Sequence, residues 1–446
     1  MYRLLFQQFL RTKTCQLGLI ILLVLGGISI ITGKQFLIDQ EKMASQVSEK
    51  QIEHIKRNVE LHGEDLPLLL YYLKFSLVNQ PHPLAGLAIG QKDLNPSVQQ
   101  VTILTLEGQK YDANLVNPTK LLYGNLDLSF IIIYLFPLLI IAFSYNLYSE
   151  ESESGTWQIV SVMARSTWNF LLAKLLVRFT VLAATLILLL LVGAFVMGLE
   201  FDGILLLFLL TSLCYLLFWF ASCFWMISLK RNSNFNAILL LSFWLILVVL
   251  LPAFLNNYLT TQYPVPEALS TMIKQRDGYH QKWDTEKRAT MLAFYKDYPQ
   301  FQDYGFPPEE GFDWPWYYAM QHLGDAEARE ESQAMQEKIR LREKMSRLWA
   351  QLIPSMHAQL VVNDLAGTGL VHHMNFLNYT NQFHEKTRLY FYPKIFTDEK
   401  PSSVDWDRFN PAYVQLSGQA EWTTLTPLLL ATLLFVLMTF YQVRKP

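Results

Sequence analysis

The sequence has few cysteines and little net charge. Its 446 residues include only Cys15, Cys214 and Cys223, and none of them falls in the long polar stretches 34–126 and 257–422. A disulfide framework is therefore excluded in those stretches. The formal net charge is −2. No bulk basic field is present to bind nucleic acid, and we expect no nucleic-acid partner.

The usual motifs of nucleotide and metal chemistry are also missing. No GxxxxGK[ST] loop occurs, so we do not expect this chain to bind ATP itself, and we predict no cofactor. GxSxG and HExxH are absent, and no acid–base or nucleophile constellation indicates an enzyme. His372 and His373 are adjacent, so on a helix they point in different directions, and neither has Asp or Glu at ligand spacing. We interpret the pair as structural, with a metal site as the alternative.

Long apolar runs are abundant. Hydrophobic residues make up 52% of the chain, and the mean hydropathy is +0.19. Six runs approach the length that a helix needs to cross a bilayer, about 20 residues. None has a charge in its middle, which disfavours an ion-coupled pump. The runs cover 17–33, 128–147, 175–197, 203–227, 235–255 and 423–441. Because backbone groups in lipid must be satisfied within their own segment, each run is predicted to be a helix.

We therefore predict an all-α polytopic membrane protein with six transmembrane helices and two mainly helical insertions, with a short β element in the first. The predicted segments are an interfacial helix 1–15, span one 16–33, the first insertion 34–126, span two 127–147, a loop 148–170, spans three to five 171–256, the second insertion 257–421, and span six with a tail 422–446.

The ends of these segments allow finer predictions. The basic, apolar segment 1–15 is predicted to lie against membrane lipids, with an ordinary basic flank of span one as the alternative. Span one is expected to be a retained anchor. Periodicity predicts helices over 40–62, 65–79 and 325–353 and a β-prone run over 101–106.

The basic residues predict the orientation. They lie before span one, between spans two and three, between spans four and five, and after span six. The link between spans three and four, around Glu200 and Asp202, has no Lys or Arg. All of them fall on one side if both termini are cytoplasmic, and both insertions are then extracytoplasmic. The residues are Arg3, Arg11, Lys13, Arg165, Lys174, Arg178, Lys230, Arg231, Arg444 and Lys445.

The segment after span two is acidic. Glu150, Glu151 and Glu153 are predicted to begin a helix, where the helix dipole favours carboxylates. Gly155 permits a tight turn, and the amphipathic stretch 159–163 would form a short helix across the cytoplasmic face. An ordinary acidic loop between two spans is the alternative interpretation.

The order Glu151, Glu153, Gly155, Thr156 resembles the first cytoplasmic loop of ABC transporter permeases of the type-two exporter class, although Ser152 stands where that family commonly has a basic residue. The resemblance implies a coupling helix that docks on a separate ATP-binding subunit. It also implies that Glu151, Glu153, Gly155, Thr156 and the segment to Arg165 receive the movement of that subunit.

The rest of the chain resembles a branch of that class with an enlarged outer insertion between the last two spans. The landmarks are Pro83–Ala85, Gly90–Asp93, Pro96, Gly124, Asp127, Leu135, Pro137, Leu138, His372–His373 and Phe376. The resemblance implies a multi-pass permease of a bacterial inner membrane with a second permease chain, identical or related. A periplasmic partner stays open, and the substrate is not indicated. The alternatives are a non-transporting membrane scaffold or sensor, and an enzyme acting through its outer domain.

Overall fold

A computed structural model describes residues 2–111, 125–163, 166–265 and 267–444. Six helices in this part of the chain are long and apolar enough to cross a membrane. They are Lys13–Leu61, Leu128–Glu153, Thr167–Met197, Gly203–Ser228, Ser233–Gln262 and Trp422–Val443. All six predicted runs lie within these helices, which confirms the prediction of a mainly helical polytopic protein.

The elements up to the fifth span helix alternate between span helices and short surface pieces. They are α1 Tyr2–Arg11, α2 Lys13–Leu61, α3 Leu66–Tyr72, β1 Phe75–Gln80, β2 Val98–Val101, α4 (Leu128–Phe130, the π-helical turn Ile131–Leu135, and Phe136–Ser144), α5 Ser149–Glu153, α6 Trp157–Met163, α7 Thr167–Met197, α8 Gly203–Ser228 and α9 (Ser233–Leu245, the π-helical turn Ile246–Leu250, and Leu251–Gln262).

The remaining elements build the second insertion and the last span helix. They are α10 Glu267–Trp283, α11 Lys287–Asp297, α12 Trp314–Ala350, α13 Pro354–Leu365, α14 Leu370–Phe396, β3 Ala412–Gln415 and α15 Thr426–Arg444. The helix predicted over 325–353 begins earlier, at Trp314, because Asp313 caps it and Pro315 lies in the first turn, where no N–H is needed.

The first span helix continues without a break into the first insertion. α2 has 49 residues, so it is about 74 Å long at 1.5 Å per residue. Span one, predicted to end at residue 33, and the helix predicted over 40–62 are therefore parts of one continuous helix. Thr12 caps it by accepting a hydrogen bond from the Cys15 N–H, at 3.4 Å. This continuous helix connects the membrane segment rigidly to the first insertion.

The two insertions share one small sheet of strand order β2-β1-β3. β1 pairs antiparallel with β2, with Phe75 opposite Val101, and parallel with β3, with Leu77 opposite Ala412. The helix predicted over 65–79 is thus wrong beyond Tyr72, because pairing with distant strands overrides the local periodicity. The predicted β element is also not confined to the first insertion, since β3 comes from the second.

A buried arginine lies in the core of the joined insertions. Arg388 is fully buried; its Nη1 donates to His322 Nδ1 at 2.8 Å, and its Nη2 lies 3.6 Å from Asp325. The other His322 nitrogen, Nε2, then donates to Asp297 at 2.8 Å. Burial and the Arg388 charge lower the pKa of His322 to about 4, so the ring is neutral at pH 7. Asp325 also accepts the N–H groups of Leu106, at 2.8 Å, and Glu107, at 2.7 Å, which ties the two insertions together.

Helix α13 belongs to the second insertion but packs among the span helices. Its apolar residues belong to the same buried core as the span helices, and it contacts α8, α15 and the π-helical turns of α4 and α9. These residues are Ala358, Val361, Val362 and Leu365. One element of an insertion is therefore a structural part of the bundle.

The two π-helical turns are each followed by a proline that removes a backbone donor. Pro137 lies four residues after Ile133, and the Ile133 carbonyl accepts a hydrogen bond from the Tyr215 hydroxyl at 2.9 Å. Pro252 lies five residues after Leu247, and the Leu247 carbonyl accepts one from the Ser355 hydroxyl at 2.5 Å. A side chain thus replaces the missing N–H in each turn.

These replacement bonds predict the effect of removing each hydroxyl. Tyr215→Phe and Ser355→Ala should each lower the free energy of unfolding by about 1–3 kcal/mol, because a buried carbonyl loses its donor. The control is Ser212→Ala, since the Ser212 hydroxyl bonds within its own helix to the Phe208 carbonyl. Thermal unfolding in one detergent measures all three variants. Equal melting temperatures for the control and the two test variants would contradict the prediction.

Candidate functional site

The span bundle has two different ends. One end, here called the domain end, carries the joined insertions: the Ser129 N–H donates to the Leu87 carbonyl at 3.0 Å, and His357 Nε2 donates to the Thr424 carbonyl at 2.7 Å. The other, here called the short-loop end, carries α1, α5, α6 and the link 229–232. There Phe9 of α1 packs on Phe143 of α4, with ring centroids 5.4 Å apart.

Glu151 connects the end of the second span helix to the third. Its Oε1 lies 2.5 Å from Lys174 Nζ of α7, and both side chains are largely buried. Its other carboxylate oxygen accepts a hydrogen bond from the Thr156 hydroxyl. An ion pair that is mostly removed from water is difficult to break, because the remaining charge would lie unpaired. Glu151 therefore fixes the turn around Gly155 to the base of α7.

Glu153 connects the same segment to the fifth span helix. Its Oε1 accepts the Ser233 N–H at 2.8 Å, and its Oε2 accepts the Ser233 hydroxyl at 2.9 Å. Ser233 is the first residue of α9, so a carboxylate occupies a helix N-terminus, where negative charge is favourable. The acidic pattern found in the sequence thus has partners within the chain.

The turn between α5 and α6 has the predicted form. Gly155 has a φ of +76°, a conformation that other residues adopt at a cost, and there is open space around it. The Thr156 hydroxyl also lies 3.2 Å from the Glu151 carbonyl oxygen. Trp157 packs edge-on against Tyr148 at 4.7 Å between centroids. These contacts hold the start of α6 against the end of the bundle.

The face of α6 that points away from these contacts is apolar and exposed. Ile159, Val162 and Met163 are 61%, 86% and 82% exposed and lie at helical spacing on one side. None of the residues of α6 is buried. Arg165, predicted as part of this site, lies outside the described residues. The structure brings together Glu151, Glu153, Gly155 and Thr156, and together they present this apolar face.

At the domain end, segments of both insertions meet in one junction. The Thr368 hydroxyl donates to the Ala88 carbonyl at 2.9 Å, and the Gln91 N–H donates to the Thr368 carbonyl at 3.2 Å. Asp127, just before α4, accepts the N–H groups of Ile89 and Phe130, both at 2.8 Å. The residue patterns that are far apart in the sequence thus form one packed region.

His372 and His373 lie beside this junction and near Lys92. Burial, with a smaller effect of the Lys92 charge, lowers the pKa of His373 to about 4. In the described ranges, no group of three or more His, Cys, Asp or Glu residues is placed to hold a metal ion. His384, eleven residues after His373, is buried near Arg388 instead.

A large polar cleft opens beside the junction. It has a volume of about 1030 Å³ and lies between α13, α14 and the chain that leads into α15. Its walls include the ion pair of Arg347 and Asp364, and also His357, His372 and Tyr379. This cleft could not be predicted from the sequence, because its walls come together only when the second insertion folds onto the bundle.

The ion pair at the short-loop end predicts an energetic coupling. Glu151→Gln and Lys174→Met should each lower the melting temperature in detergent, and the double variant should be little worse than either. A coupling free energy of about 0.5–3 kcal/mol is expected for such a contact. Exposed Glu150 supplies the control. The stability losses caused by Glu150→Gln and Lys174→Met should add up in the double variant. If the losses caused by Glu151→Gln and Lys174→Met also add up, the ion pair does not hold the segment.

Comparison with known proteins matches only one part of the chain. A protein-family model described as a domain of unknown function (DUF3526) matches residues 269–413, less than half of the chain. The match begins in α10 and ends in β3, so it covers most of the second insertion, including α13 and α14. No curated protein and no solved structure matches the chain.

Proposed function

We propose that this chain is the membrane-spanning subunit of an ABC-type exporter in a bacterial inner membrane, with both termini cytoplasmic. ATP is hydrolysed on a separate subunit, and a second permease chain, identical or related, completes the transport unit. The resemblance of the segment Glu151–Thr156 to a type-two exporter loop first suggests this function. The observation that carries it is the exposed apolar face of α6 at the short-loop end.

The attachments of α6 support a role in transmitting force. α6 continues from the turn that Glu151 ties to α7 and that Glu153 ties to α9. A force applied to α6 is therefore transmitted through short polar contacts to three span helices, α4, α7 and α9. Glu151, Glu153 and Thr156 are positioning residues in this proposal. The contact with the ATP-binding subunit is assigned to Ile159, Val162 and Met163.

A sensor or scaffold is the second candidate, because the domain end has a large polar cleft that could hold a ligand. The two candidates differ at the short-loop end. A sensor needs no ATP-binding partner, and the apolar face of α6 would then lie in the membrane interface. Transport requires a stable complex with an ATPase through that face.

The proposal predicts that charge on α6 separates the chain from its ATPase. The tagged chain, purified from its native membrane in mild detergent, should carry ATP turnover and a polypeptide with a phosphate-binding loop. Val162→Glu with Met163→Glu should remove both, since an exposed apolar contact cannot accept two carboxylates without losing its complementarity. Expression and melting temperature should stay unchanged.

The matched control places two carboxylates on exposed apolar residues of the two insertions. Leu61 and Ile273 are 64% and 48% exposed, so Leu61→Glu with Ile273→Glu should retain the ATPase. If the wild-type preparation has no ATP turnover, or if the α6 variant keeps it, the exporter proposal is wrong. Retained turnover would indicate that the apolar face lies in lipid.

The orientation makes a separate prediction. In a variant without Cys15, Cys214 and Cys223, single cysteines at the exposed positions Glu64 and Asp407 should react with an impermeant thiol reagent in intact spheroplasts. Cysteines at Ser154 and Asn232 should react only after the membrane is opened. The reverse pattern would place α6 outside the cell and remove the basis for coupling to ATP.

A further inference from the structure

Three clefts along helices α12 and α14 join into one groove. The polar cleft described above and a second cleft, here called the basic cleft, have volumes of about 1030 Å³ each. A third cleft of about 470 Å³ lies between them along α12 and is here called the apolar cleft. Asn378 lines all three, Arg340 lines the basic and apolar clefts, and Arg347 lines the apolar and polar clefts. The clefts therefore form one continuous surface, here called the α12–α14 groove.

The groove has the length of a short extended chain. Along α14 its lining runs from Val371 to Leu389. That distance is about 27 Å at 1.5 Å per residue, which equals about eight residues of extended polypeptide at 3.3 Å per residue. The polar cleft at one end touches Leu207 of α8 and Thr426 of α15, so this end of the groove lies beside the span bundle.

The α14 side of the groove carries carboxamide side chains at helical spacing. Asn375, Asn378 and Gln382 lie on one face of α14, and each is exposed or half-buried. Within the described ranges, these three side chains have no hydrogen-bond partner. A carboxamide offers donors and an acceptor together, as a backbone peptide group does. This wall can therefore pair with a polypeptide backbone.

Two histidines in the walls have a ring nitrogen without a partner. His384 lines the basic cleft and is 3% exposed, and His372 lines the polar cleft. Burial lowers the pKa of both rings, so both are neutral at pH 7. In the part of the chain that the structure describes, His384 Nε2 and His372 Nδ1 have no hydrogen-bond partner. A polar ligand or ordered water is needed to satisfy them.

The apolar cleft favours a peptide over a sugar chain. It is lined by Ile339 of α12 and by Leu370, Val371 and Met374 at the start of α14. Successive side chains of an extended peptide point to opposite sides, so one apolar side chain can enter this cleft while the backbone stays at the carboxamides. A sugar chain would place hydroxyl groups there without partners, which is unfavourable.

The exposed charges of the basic cleft are mainly positive. Arg329, Arg340 and Lys386 are exposed there and have no ion-pair partner among the described residues. The exposed acid of this cleft is Glu337, and its other acids have cationic partners. An excess of exposed positive charge attracts a negatively charged ligand. The partnered acids are Glu107, Asp325 and Glu385.

We propose that the α12–α14 groove binds an extended acidic peptide of about eight residues. Its acidic end lies over Arg329, Arg340 and Lys386, and one apolar side chain fills the apolar cleft. The carboxamides of α14 hold its backbone, and its other end lies beside the span bundle. The binding is independent of ATP coupling, and it occurs whether the chain is an exporter or a sensor.

The test uses the full chain, purified in detergent, and pools of dye-labelled octapeptides. All pools share a random core of Ser, Thr, Val and Leu, and they carry Asp, Ser or Lys at two adjacent positions of either end. Fluorescence anisotropy should show saturable binding that is about tenfold tighter for an aspartate pool than for the lysine pools. The difference should shrink as salt is raised, because salt screens exposed charges.

A carboxamide variant tests the contact with the backbone. Asn378→Leu should weaken binding of the aspartate pool about tenfold, because a peptide group loses its partner in all three clefts' common wall. The matched control is Gln302→Leu, which changes an exposed carboxamide of the same insertion outside the groove and should bind as the wild type does.

A charge variant tests the acidic end. Arg340→Gln with Lys386→Gln should remove the preference for aspartate over serine, whereas Lys74→Gln with Lys296→Gln, also at exposed positions, should keep it. Because these positions are exposed, this comparison decides the proposal even if Asn378→Leu does not fold.

Several results would overturn the proposal. They are the absence of saturable binding, equal affinity for the aspartate and lysine pools, and an unchanged preference in the Arg340 and Lys386 variant. Displacement of the peptides by neutral maltoheptaose would show that the groove binds sugar chains instead. None of these results bears on the ATPase, which is tested separately at the short-loop end.

Discussion

The structure depends on the supply of hydrogen-bond donors to two backbone carbonyls inside the span bundle. Pro137 and Pro252 remove N–H groups from α4 and α9, and a buried carbonyl left without a donor costs about 1–3 kcal/mol. Tyr215 supplies one donor from α8, within the bundle. Ser355 supplies the other from α13, within the second insertion. The span helices therefore do not form a complete bundle without the insertion.

This dependence has a mechanical consequence for the proposed exporter. α4 and α9 are tied together at the short-loop end, where Glu153 holds Ser233 and the Asn236 side chain donates to the Tyr145 carbonyl at 3.2 Å. At the domain end, α13 contacts the π-helical turns of both helices. π-helical turns are places where a helix can change its register, and they are frequent at functional sites. Movement received by α6 would therefore reach α13 through the two helices that it contacts.

The sequence was sufficient for the features that follow from local constraints. The membrane requires long apolar helices, so all six spans could be read directly, and the turn at Gly155 followed from a residue that tolerates positive φ. The features that were missed depend on contacts between distant residues. β1 is a strand because β2 and β3 pair with it, and the role of Glu153 depends on Ser233, which is 80 residues away. Pro137 and Pro252 were visible signals of the π-helical turns, but their partners Tyr215 and Ser355 were not.

The part of the chain that matches a domain of unknown function includes Ser355, His357 and Thr368. A separable sensor domain would be joined through a linker and make few contacts with the membrane segment. Here Ser355 bonds to the backbone of α9, His357 bonds to the backbone before α15, and Thr368 bonds to the first insertion. The domain is therefore built into the domain end of the bundle. Any ligand or partner that shifts this domain must therefore change the hydrogen bonding of the span helices, and the proposed transport mechanism requires such a connection at the domain end.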